Sequence, residues 1–185
     1  MQKSTVHLVA QLKQLLLSYP AMVALFEVKQ PTALTELMSW LNRAEELLSS
    51  YGLVSAAELA GYRSKLLLPV YHDDYRGSLR KQQLKQAVEM LYPVQSCLQQ
   101  ALLPFEQKLE QSRELARHLL SIIAQSKAVH YDGSGQLDGL VMQLWLLIGQ
   151  HDQLKSGAVQ LRTWLSQQDI LLLLAEEINL ADFQA

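Results

Sequence analysis

Two His-Asp dipeptides are the residues whose types and spacing could do chemistry here: His72 with Asp73, and His151 with Asp152. Imidazole and carboxylate are both good ligands for a hydrolytic divalent metal, which would polarise a phosphoryl oxygen and activate water. A second chemistry to test is the di-iron helical bundle, which needs Glu-x-x-His on two helices. That motif is absent, and Glu114 with His118 is a one-turn pair suited to a solvated helix face. The segment from Asp132 fails as a calcium loop, because Leu137 stands where the turn glycine belongs and Gln143 replaces the bidentate glutamate. Neither G-x-S-x-G, G-x-x-x-x-G-K nor G-x-G-x-x-G occurs. Cys97 is the single cysteine, with no evident catalytic partner and no second thiol for a disulfide.

The His-Asp pairs can be compared with metal-dependent phosphohydrolases of the HD family, which are also helical and place ligands as H…HD…D. Around His72 and Asp73, Asp138 or Asp152 could follow, but no histidine lies between His7 and His72. Around His151 and Asp152, His118 or His130 precedes and Asp169 or Asp182 follows. A turn is the simpler reading of both dipeptides. An HD-type hydrolase therefore stands as an alternative function, with His72, Asp73, His151 and Asp152 as its metal candidates.

A positive cluster, Arg76, Arg80, Lys81 and Lys85, is the visible partner-binding candidate. It sits at a helix start, where cations oppose the helix dipole. A nucleic-acid-associated regulator using residues 76–85 is the second alternative. The net charge of −2 argues against a dedicated polyanion binder. A helix-turn-helix over residues 47–66 fails, since Glu58 and Gly61 fall at inward positions and Leu48 at the small-residue site.

The elements that must position these residues are helices. Leu and Gln dominate, Gly and Pro are sparse, and alternating β-branched runs are missing. The expected fold is all-α: one domain over residues 1–185, a bundle of roughly six to eight mostly antiparallel helices. The apolar segment 137–149, whose polar side chains are Asp138 and Gln143, is expected to be the buried core helix. At about 20 Å it is too short to span a bilayer of about 30 Å. Residues 15–26 are uncharged, yet polar residues precede them and no A-x-A site follows, so a cytoplasmic chain without membrane span is expected.

Local signals give the remaining elements. Pro20 is expected to interrupt the first helix, with a second short segment over residues 21–28. Thr32 or Thr35 starts the next helix, Gly52 ends it as a left-handed residue, and Ser55-x-x-Glu58 caps another. Residues 78–130 form a long amphipathic run with Pro93 and Pro104, with a break expected at Pro104. The last helix is expected over residues 154–179, with the apolar run 170–175 packed beside the segment 137–149.

Charged residues make up 18% of the chain, below the usual 25% or so, and no polar constellation converges. The preferred reading is a non-enzymatic protein that binds another protein, as adaptor, chaperone-like factor or regulator, with no cofactor. Tyr19, Tyr51, Tyr62, Tyr71, Tyr75 and Trp164, near helix ends, are rings a partner could use. A homodimer is expected if the bundle cannot cover both apolar segments.

Overall fold

The structure, a computed structural model, describes residues 3–68, 78–131 and 136–184. Among these residues the chain is all helical: α1 (Thr5–Glu27), α2 (Ala33–Ser50), α3 (Ser55–Leu67), α4 (Leu79–Ser126), α5 (Leu137–Gln150), α6 (Lys155–Trp164) and α7 (Gln167–Glu177). A 3-10 turn, Leu180–Phe183, closes the chain. Two compact units form: a first over His7–Pro104, and a second from Met1–Val6 with Phe105–Ala185.

In the first unit, α2 and α3 pack as a hairpin. Gly52 makes the turn with φ +69°, and the amide of Leu53 reaches back to the Leu48 carbonyl while that of Gly52 bonds to Ser49. This is the left-handed cap expected there, satisfying two orphan carbonyls. Arg63 of α3 grips Glu45 of α2 through both carboxylate oxygens, at 2.8 and 3.2 Å. Ser55 does not cap α3. It is the first helical residue, and the carboxylate of Glu58 accepts instead from the Tyr62 hydroxyl at 3.2 Å. The core collects Leu8, Leu12, Trp40, Leu41, Leu48, Leu59 and Leu98, all essentially inaccessible to water.

Neither Pro20 nor Pro104 breaks its helix: α1 runs through the first and α4 through both Pro93 and Pro104. A proline deletes one backbone bond and disturbs one turn, whereas the apolar stripe on either side still gains by burial. Along α4 that stripe is buried from Val94 and Leu98 to Leu102 and again from Leu109 to Leu120 and Ile123, with Phe105 half-buried between. In α1 the carbonyl next to the one that Pro20 leaves unbonded gains a tie to α2. One turn before Pro20, the Leu15 carbonyl accepts from the Trp40 indole at 3.1 Å and from the Ser18 hydroxyl at 2.7 Å.

The second unit packs α5 against α6 and α7. The expected helix at its heart is present, one residue longer than anticipated. It buries Leu140, Val141, Leu144, Trp145 and Ile148, while Met142 and Leu146 stay exposed on its other side and Leu137 is exposed at its start. The Arg162 guanidinium lies 5.0 Å from the Trp145 ring centroid, a cation–π contact between α6 and α5. The single helix expected over residues 154–179 is two helices. Leu165 ends the first in extended geometry and Ser166 caps the next, its hydroxyl accepting from the Asp169 amide at 3.2 Å.

Gly157 marks a close approach of α6 to α4. A Cβ there would lie 2.8 and 3.0 Å from the two methyls of buried Leu119 on α4. Gly157→Ala should therefore destabilise by about 1–2 kcal/mol, overpacking outweighing the gain in helix propensity. Gly61→Ala, where nothing lies within 4 Å, should instead stabilise by up to about 1 kcal/mol. Thermal melts of both variants check the pair. Equal shifts of the same sign would show that the α6 contact does not constrain residue 157.

Candidate functional site

Among the described residues the metal candidates do not assemble. His72 and Asp73 lie outside the described residues, as does Arg76. His151 and Asp152 form the α5–α6 turn: the His151 Nδ1 accepts from the Gln153 amide at 3.3 Å, and its carbonyl accepts from Leu154 and Lys155. His118 and His130 are exposed, and Asp169 is fully buried elsewhere in its unit. Among the described residues no three His, Cys, Asp or Glu side chains come together in a metal-binding group.

Cys97 is equally inert. It is 3% exposed, and burial, reinforced by Glu58, pushes its thiol up to about 12. Burial likewise pushes Tyr19 to about 12, where its ring meets Trp40 edge-on at 5.5 Å. Both groups titrate lower in an unfolded chain, near 8.5 and 10. As pH rises past about 9, the unfolded chain releases protons that the folded chain keeps, so stability falls from there towards pH 12. The urea midpoint should be lower at pH 11 than at pH 8, and Cys97→Ser and Tyr19→Phe should each flatten that difference. An unchanged alkaline slope in both variants would refute the assignment.

Side chains do converge at a groove of about 610 Å³ in the first unit, where the end of α1 and the start of α2 meet the first turns of α4. Its floor is apolar: Phe26, Pro31, Leu84 and Val88. Its rim is cationic: Lys29, Arg80 and Lys85, and among the described residues no acidic one lines it. Lys81 is exposed one residue beyond Arg80.

Local backbone geometry explains why these residues meet. The chain leaves α1 through Lys29 in the left-handed region, φ 54°, and the Gln30 amide returns to the Leu25 carbonyl at 2.8 Å. That tight turn presents Lys29 and the Pro31 carbonyl, to which the Arg80 guanidinium donates at 2.9 Å. Arg80 and Lys85 thus belong to a built surface. The charge there comes at some expense to α4, whose first turn has no acid to complement the positive end of its dipole.

The chain matches no protein-family model, no curated protein and no solved structure.

A second groove, about 470 Å³, runs between α5 and α7 in the other unit, with Val141, Met142, Leu171, Leu172 and Ala175 along it and Asp138 as its charged residue. It continues the exposed side of α5.

The aromatic candidates divide. Tyr19 is buried, Tyr51, Tyr62 and Trp164 are half-buried, and Tyr71 and Tyr75 lie outside the described residues. Among the described residues the most exposed tyrosine is Tyr92 on α4, at 77%, which sequence reasoning did not single out. Among the described residues α1 is the one helix long and apolar enough to cross a membrane by length and composition, and it buries Leu8, Leu12, Tyr19 and Met22.

Proposed function

We propose that this chain is a non-enzymatic, cytosolic helical protein that binds another protein, and that the α1–α2–α4 groove is its docking surface. The observation that carries this reading is the groove itself: an apolar floor edged by three cations and, among the described residues, lined by no nucleophile, acid–base pair or ligand set. Its size accommodates a few partner side chains. Non-polar contact in the middle with charge at the edge is the usual anatomy of a protein interface. A nucleic-acid site would instead lay cations along a phosphate track, and here they surround hydrocarbon.

The test is site-specific photocrosslinking in cells. A benzophenone side chain at Val88, in the groove, should give discrete protein adducts. The same group at Val159, exposed on α6, should not. Adducts at Val88 should disappear when Arg80→Glu and Lys85→Glu are introduced. Identical adducts from both positions, or adducts to nucleic acid from Val88, would refute the reading.

A further inference from the structure

We infer that the occupant of the groove is an acidic amphipathic α-helix of the partner protein, lying along the first turns of α4. This rests on the docking reading above and adds the chemistry and shape of the partner.

Charge complementarity is the first argument. Lys29, Arg80 and Lys85 rim the groove, Lys81 flanks it, and the nearest acid on α4, Glu89, does not line it. Carboxylates arriving there would both meet these cations and offset their unfavourable position at the positive end of the α4 dipole. Shape is the second. Lys81, Lys85, Val88 and Tyr92 fall at spacings of four, three and four residues, so they share one face of a continuous helix. Val88 is 54% and Tyr92 77% exposed, an apolar track leading away from the cationic end. A facing helix with apolar side chains at i, i+3 or i+4, and i+7 follows such a track, its Asp and Glu residues reaching the rim.

Selection from a phage-displayed library of helical peptides, panned on the full-length protein, tests this without a guess at the partner. Expected is a consensus of Asp or Glu beside apolar residues at helical spacing. A labelled peptide of that consensus should bind at least about tenfold more weakly to Lys29→Glu/Arg80→Glu/Lys85→Glu and to Val88→Asp. It should bind Val159→Asp like wild type, and more weakly as salt rises. Circular dichroism confirms that the variants, all at exposed positions, keep their helices. Peptides that need Val88 but carry no acids or no helical period would overturn the acidic helix and leave the docking surface standing. Peptides indifferent to Val88→Asp would overturn both. Absence of enrichment over panning on the triple variant, or tighter binding of a single-stranded RNA oligonucleotide lost in that variant, also overturns the inference.

Discussion

Trp40→Ala should lower stability by about 3–5 kcal/mol, the range for emptying a buried aromatic site. Trp40 is 1% exposed at the middle of α2. Its loss removes three things at once: ring volume from the core, the edge-on contact with Tyr19, and an indole N–H shared between the Leu15 carbonyl and the Ser18 hydroxyl. Trp40→Phe separates these. It keeps most of the apolar filling and deletes the donor, so about 1–2 kcal/mol should remain, close to one hydrogen bond plus a small void. Because the brace lies one turn ahead of Pro20, amide exchange in α1 around residues 15–20 should accelerate in Trp40→Phe more than in α5. Uniform acceleration across both units would mean that Trp40 serves only as bulk.

Helices were legible in the sequence where an apolar stripe repeats at helical spacing, as over α2 and α4, and where apolarity is nearly unbroken, as over α5. Their ends were legible where one residue type dominates the backbone choice, which is why Gly52 could be placed. Lys29 and Lys127 take up the same left-handed conformation at the ends of α1 and α4, with φ 54° and 52°. No lysine advertises that, since its side chain disfavours it. Proline was over-read: Pro20 and Pro104 signal a lost hydrogen bond, but whether a helix survives depends on packing elsewhere in the chain. Serine was under-read, as Ser166 with Asp169 three residues on divides α6 from α7.

The candidate site was half legible. Arg80, Lys81 and Lys85 stand together in the sequence as a basic cluster at a helix start. Phe26, Lys29 and Pro31, about fifty residues earlier, reach them only through the path of the folded chain. Local periodicity carries no information about that path. The His-Asp pair at 151–152 illustrates the reverse: residues suggestive by type form a turn, and no metal-binding group gathers around them among the described residues.

Asp169→Ala should destabilise the chain by about 2–4 kcal/mol, through backbone groups far away in sequence. Asp169 is fully buried on α7, and its carboxylate accepts from the Ser4 hydroxyl at 2.5 Å and from the Thr5 amide at 2.7 Å. It therefore supplies, from another helix, the acceptor that an N-cap residue normally supplies from its own chain. The first turn of α1 has no acidic residue of its own, so the carboxylate also meets the positive end of the α1 dipole. Removing it leaves the Thr5 amide without its acceptor in a buried place, which alone costs about 1–3 kcal/mol. Asp169→Asn tests whether charge or geometry matters. An amide oxygen can still accept from Thr5, so a loss nearer 1 kcal/mol would assign most of the effect to the hydrogen bond. A loss equal to that of alanine would assign it to the carboxylate charge. Ser4→Ala should cost about 1 kcal/mol in wild type and nearly nothing in Asp169→Ala, since its acceptor is already gone. Additive losses would show that Ser4 and Asp169 act independently, and that the buried carboxylate has another purpose.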